Sequence, residues 1–292
     1  MQIISENRLR KIWHSIFPVL GKKLIIININ YMGIGNRLKL LASYHVNYGL
    51  DDVTLLWNRR GWVNCRLFDI IHIDGVNNFK EYSMPRSGLL PPIITYPEKK
   101  NFRERSYWRF DIDDDVSDDF LITRWGKTFY AIDFCFDQTP RKYLDRYLAF
   151  FAMLKPSDAV RKRIADVPLT KHDVCVQVRN TIDPNDHPNV PRLETTIEQM
   201  RMFPDETQFF ISTLDRSISR KFYDALPGRI LELPNKNYRS MIDATADLYL
   251  LSKGDYLFFP NGSTFGEVSW WLGGGQQKVI AIPAEIIMTP SC

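Results

Sequence analysis

Between residues 174 and 282 the hydrophobic positions switch repeatedly from a repeat of every second residue to one of every third or fourth. Val174, Val176 and Val178 alternate with Cys175, Gln177 and Arg179, as in a strand covered on both faces. This pattern predicts a strand over 174–179, a helix over 192–203 and a strand over 208–213. A helix over 217–226, a strand over 229–233, a helix over 238–252 and a strand over 255–260 follow. The last helix, over 264–272, stops at Gly273-Gly274-Gly275, ahead of a strand over 278–282. Short apolar strands alternating with amphipathic helices predict an α/β fold with a doubly wound parallel sheet.

The N-terminal half begins in the same way. A strand over 23–30 leads through Tyr31-Met32-Gly33-Ile34-Gly35-Asn36 into a helix over 37–48 and a strand over 53–57. Beyond it the repeat frays. Residues 75–125 read as loop-rich, with Pro85, Pro91, Pro92 and Pro97 and the acidic run DIDDDVSDD at 111–119. A helix over 140–153 and Leu154-Lys155-Pro156-Ser157 look like the passage between domains. Two Rossmann-like domains facing each other across a cleft are expected, residues 1–153 and 154–292. A chain of 292 residues agrees, being long for a single core.

Composition narrows the function classes only slightly. A net charge of +4 favours an anionic small ligand or a membrane surface and argues weakly for nucleic acid, so no nucleic-acid partner is expected. Cys65, Cys135, Cys175 and Cys292 lack metal or redox spacing and read as reduced thiols of a cytoplasmic protein. No apolar run reaches the length of a membrane span. The first 23 residues mix charge with Ile12, Trp13, Ile16, Phe17, Val19 and Leu20. They fit a helix packed on its own protein or one resting peripherally on a membrane interface.

Candidate chemistry gathers at the predicted strand ends, where ligands of open α/β sheets bind. Arg179 ends one strand, and its planar fork of donors matches phosphate. The turn after it holds Asn180, Thr181, Asp183, Asn185, Asp186 and His187. On the same edge Asn261-Gly262-Ser263-Thr264-Phe265 runs from a strand into a helix capped by Ser or Thr, a second donor set for one pyrophosphate. Asp215 ends the next strand along the chain after that of Arg179, at the same edge. Asp243 and Asp247, four apart on one helix, read as a solvated face or as carboxylates that recognise guanine through its N1–H and 2-amino donors. Gly33, Gly35 and Asn36 let backbone N–H groups approach a ligand in the first domain.

A dinucleotide reading fits poorly. Leu38 stands where the third glycine of G-x-G-x-x-G belongs, although Arg59 and Arg60 after the second strand suit a 2′-phosphate. Asp113-Asp114-Asp115 matches a D-x-D metal pattern, but its overloaded flanks read as a solvated loop, and no metal site is expected.

VQVRNTID resembles the H-x-R-R-T-D motif of the α-1,6-fucosyltransferases, including the nodulation-type enzymes. GIGNRLKLLASYHVNYG, LKPSDAVRKRI, FFISTLD and NGSTFGEVSWWL are similar to further blocks of the fucosyltransferase-like superfamily, in family order over residues 31–272. The resemblance implies a GT-B fold and metal-independent, inverting transfer from a GDP-sugar, most readily GDP-fucose, to a glycan acceptor. It places Arg179 at the β-phosphate, Ser263 and Thr264 at the phosphates, Gly33 to Arg37 along the cleft, and Asp215 or Asp243 near guanine. Gln177 occupies the family's histidine position and Asn180 its second arginine. Inversion also needs a base for the acceptor hydroxyl. Asp183, Asp186 and His187 are the candidates, Asp183 foremost. The competing readings are an NADP-linked oxidoreductase and a nucleotide- or glycan-binding module without turnover.

Overall fold

The computed structural model describes residues 23–27, 33–83, 93–96, 103–104, 121–122, 141–179, 193–260 and 263–282. The N-terminal segment before Lys23, the acidic run 111–119, the loop with Asp183, Asp186 and His187, and Asn261-Gly262 lie outside the described residues. The chain divides into two compact units, Met1–Phe68 with Ile73–Tyr130, and Asp69–His72 with Ala131–Cys292.

In the first unit β1 (Lys23–Ile27), α1 (Ile34–Tyr48) and β2 (Val53–Trp57) form the expected strand–helix–strand start. Gly49 closes α1 in the left-handed region at φ 68°, its N–H donating to His45 O, a conformation that suits glycine. The chain passes through β3 (Ile71–Ile73), most of which belongs to the second unit, and returns to this one in β4 (Lys80–Ser83), β5 (Ile93–Tyr96), β6 (Arg103–Glu104) and β7 (Leu121–Ile122). Strand order is β4-β2-β1-β5-β7-β6. β4, β2 and β1 are parallel, but β5 runs antiparallel to β1. This sheet is therefore mixed, a departure from a purely parallel Rossmann-like domain. Strand polarity leaves no mark on a hydrophobic repeat, so the pattern could not reveal it.

The second unit follows its sequence pattern closely. α2 (Arg141–Met153), β8 (Leu154–Pro156) and α3 (Asp158–Ala165) lead into β9 (Val174–Gln177). Then come α4 (Leu193–Arg201), β10 (Phe209–Ser212), α5 (Arg216–Ala225), β11 (Ile230–Leu231), α6 (Met241–Leu251), β12 (Tyr256–Pro260), α7 (Thr264–Leu272) and β13 (Lys278–Ile282). All five strands of the sheet are parallel, in the order β11-β10-β9-β12-β13. The chain runs outward from β9 to β11, then back past β9 to β12. The order therefore reverses between β9 and β12. Loops leaving these two strands diverge, and the crevice between them is where such sheets bind ligands.

One face of the sheet carries Val174, Val176, Phe209 and Ile211 against Ile197, Met200, Ile218 and Phe222 of α4 and α5. On the other face Cys175 lies against α6, its Sγ donating to Leu250 O at 3.5 Å, and burial pushes the thiol up to about 12. α2 belongs to this unit as well, where Tyr147 and Phe151 stack on Trp271 of α7. Ser157, Asp215, Ser240 and Ser263 cap α3, α5, α6 and α7, each accepting a backbone N–H of the first turn. Gly266 lets α7 press onto β12: a Cβ there would overlap the Phe259 ring.

Candidate functional site

Arg179 stands at the point where the strand order reverses. β9 ends at Gln177, two residues short of the sequence expectation, but Val178 N–H still donates to Ser212 O at 2.8 Å. That bond carries β9's direction one residue further and delivers Arg179 beyond the sheet edge. Across the crevice, β12 ends at Pro260 and α7 begins at Thr264 behind its Ser263 cap. The Ser263 hydroxyl is buried and satisfies Gly266 N–H, so it orders the helix start. The N–H groups of Thr264 and Phe265, in the first turn, have no carbonyl four residues back within the helix. Together with the helix dipole they favour an anion at this edge.

A cavity of about 160 Å³ opens beside Arg179, lined among others by Gln177, Glu194, Thr196, Ile218, Lys221 and Pro260. It is smaller than the ~300–1,000 Å³ of sites that enclose a whole ligand. Its volume suits part of one, a phosphate or a ring. Arg179 and Lys221 outweigh Glu194, so the lining has a cationic excess. Gln177 is 8% exposed, and its Oε1 has no hydrogen-bond partner among the described residues. An orphaned buried carbonyl is costly, roughly 1–3 kcal/mol. A donor brought by a ligand would remove that cost. Lys221 escaped the sequence reading. Its spacing of three from Ile218 puts both on one face of α5, but nothing in that spacing marks the face as cavity-lining.

Three carboxylates at this edge serve different ends. Asp215 is half-buried and caps α5, and the Ser217 hydrogen bonds hold its carboxyl below the usual range. Asp243 and Asp247 are not on a solvated face: both are buried and engaged. Arg163 Nε donates to Asp243 Oδ1 at 2.7 Å, and Asn237 N–H donates to Oδ2 at 2.7 Å, so Asp243 ties α3 and the preceding loop to α6. That occupancy is at odds with Asp243 as a free reader of guanine. Asp247 Oδ2 accepts from Lys236 Nζ at 2.5 Å and Ser212 Oγ at 2.7 Å. Burial drives its carboxyl up to about 6 against the pull of Lys236 and Ser212. Sequence spacing paired the two aspartates but could not show that distant cations claim them.

In the first unit α1 starts three residues earlier than expected. Gly33 is its N-cap, and Gly35 and Asn36 lie in its first turn rather than in a loop. A Cβ on Gly33 would meet nothing within 4 Å, so the helix start is open on that side. Asn36 Oδ1 is buried without a partner among the described residues. Arg37 does not join this opening. It is fully buried, its guanidinium 4.7 Å from the Trp57 ring centroid and donating to Asn58 O at 2.7 Å. Burial lowers it to about 10. It braces the end of β2 and is not brought together with Gly33 and Asn36 at the helix start. No group of three or more His, Cys, Asp or Glu among the described residues is placed to hold a metal ion. No helix among them is long and apolar enough to cross a membrane.

The second unit's parallel sheet with its reversal and the first unit's mixed sheet make an α/β structure, and solved structures identify its fold as GT-B type. The structure is similar to the fucosyltransferase NodZ from Bradyrhizobium, with 14% identity over 85% of this chain and 92% of that one and a TM-score of 0.51. It is similar also to a variant of Arabidopsis thaliana FUT1 in complex with GDP, with 18% identity over 94% of this chain and 74% of that one and a TM-score of 0.50. No protein-family model matches the sequence, and no curated protein matches it. At these identities the likeness is one of fold. The chain is folded as the fucosyltransferase-like GT-B proteins are.

Proposed function

We propose that this protein is a glycosyltransferase that takes a GDP-sugar, GDP-fucose foremost, and passes the sugar with inversion and without a metal to a glycan acceptor. The observation that carries this reading is Arg179 at the strand-order reversal, beside a cavity with Lys221 and across from the start of α7. Cleaving a glycosyl–phosphate bond builds negative charge on the departing diphosphate. Fixed cations and helix N–H groups aimed at that charge stabilise it without reorganising, as a metal otherwise would. Arg179 takes the β-phosphate, with Ser263 and Thr264 at the other end of the diphosphate and Asn261, Gly262 and Phe265 contributing to the same nucleotide-sugar site. Gln177 Oε1 accepts a donor from the nucleotide or the sugar. Asp215, the half-buried carboxylate that caps α5, reads the guanine N1–H and 2-amino group. Asp183 takes the acceptor hydroxyl proton on the face opposite the leaving group, with Asp186 and His187 as neighbours. The reaction belongs in the cytoplasm, with the N-terminal segment touching a membrane peripherally.

Calorimetric titration of the full chain with GDP, UDP, dTDP and NADPH, each with and without EDTA, tests the reading. GDP is expected to bind tightest and equally in EDTA. Binding of NADPH but not GDP overturns it, and strict metal dependence returns the acidic run at 111–119 to consideration.

A further inference from the structure

The arginine pair after β2 has no part in the donor site, and its surroundings are built. The segment Asn58–Arg66 carries Arg59, Arg60 and Arg66 and no acidic residue. Arg59 and Arg60 are exposed, and neither makes an ion pair among the described residues. Trp62 is 54% exposed, unusual for so large an apolar ring. The loop that displays them is not slack. Arg37 holds Asn58 O at 2.7 Å, Asn58 Oδ1 accepts Arg60 N–H at 2.8 Å, and Trp57 Nε1 donates to Cys65 O at 2.9 Å. Gly61 turns at φ 77° and Val63 is fully buried between exposed neighbours. The segment follows the carboxyl end of β2 among the parallel strands β4, β2 and β1, the edge where open α/β sheets meet ligands. Tyr82, paired in register with Leu56 on neighbouring β4, is 51% exposed.

We infer that this loop is a binding site for an anionic saccharide, with Trp62 under the C–H face of a sugar ring and Arg59 and Arg60 on its carboxylates. A rigid indole offers broad contact at little entropic loss, and the guanidinium fork matches a carboxylate with two donors. A dinucleotide's 2′-phosphate is the other anion for this position. It needs the helix start to admit a pyrophosphate, and buried Leu38 fills the third glycine position there. The inference rests on the glycosyltransferase reading and supplies its acceptor class.

The full chain is titrated with a tetrasaccharide of alternating glucuronate and N-acetylglucosamine, and with the same tetrasaccharide after reduction of its carboxyl groups. The charged form is expected to bind about tenfold tighter or more, the worth of one charge-assisted hydrogen bond. Arg59→Ala and Arg60→Ala each weaken binding of the charged form alone and together remove about that factor, whereas Trp62→Ala weakens both forms. All three variants keep wild-type GDP affinity, which reads the donor site separately and shows that they are folded. Equal binding of the two forms, no binding of either, or affinities indifferent to the three variants overturns the inference. NADPH binding that Arg59→Ala abolishes overturns it too, by assigning the pair to a nucleotide. Loss of GDP binding in the unaltered protein would instead count against the donor reading.

Discussion

Arg179→Ala is expected to slow sugar transfer by about a hundred- to a thousandfold, the usual loss when one preorganised partner of a developing oxyanion is removed. The guanidinium stands past the end of β9 at the reversal of strand order, where no other described cation but Lys221 lines the cavity. In the proposed reaction its charge matters most once the diphosphate is leaving, so turnover is expected to fall further than ground-state affinity for the donor. Arg179→Lys is expected to recover only part of the loss. An ammonium supplies the charge but not the planar pair of donors. Lys221→Ala, one turn into α5, costs less, since an exposed ammonium is better screened. Steady-state rates at saturating donor, with GDP affinity measured alongside, separate these effects. Turnover unchanged in Arg179→Ala would remove the residue from the mechanism.

The second large effect is on stability. Lys236 and Asp247 are each 3% exposed in their side chains and meet at 2.5 Å. Taking away one member of such a pair leaves the other charged and buried, which costs about 3–5 kcal/mol. Lys236→Met should show this loss by urea denaturation at neutral pH. The pH dependence follows from the raised carboxyl. Asp247 titrates at about 6 in the folded protein. In the unfolded chain it titrates at ~3.9. The folded state therefore holds the proton more tightly. Its contribution to stability is complete below the unfolded value and is lost as pH rises through about 6. Without Lys236 the carboxyl moves higher still. The variant is then most impaired at neutral pH and partly relieved near pH ~5, where the aspartic acid is neutral. Equal losses at both pH values would show that the pair does not govern Asp247.

Where the hydrophobic repeat was regular, as over residues 174–282, element types and order were legible from it. There each strand alternates or runs apolar, and α5, α6 and α7 open on the polar caps Asp215, Ser240 and Ser263. Arg179 and the Ser263 turn could be matched for the same reason: position at a strand end follows from order alone. Three things were not legible. The antiparallel β5 leaves no trace in residue periodicity. The fates of Asp243 and Asp247 depend on Arg163 and Lys236, which lie 80 and 11 residues away in the chain. Arg37 looked like a cleft residue because it follows Asn36 directly, yet α1 starts at Ile34 and turns Arg37 inward onto Trp57. Helix phase decides that direction, and an offset of three residues in the helix start changes it.

The most direct measurement of the central claim is release of GDP from GDP-fucose by the purified chain in EDTA, with a glycan acceptor present and absent. Release is expected that the acceptor accelerates, that EDTA leaves intact and that Arg179→Ala suppresses. No release above the uncatalysed rate, from a folded protein that binds GDP, would contradict it and leave a nucleotide-binding module in its place.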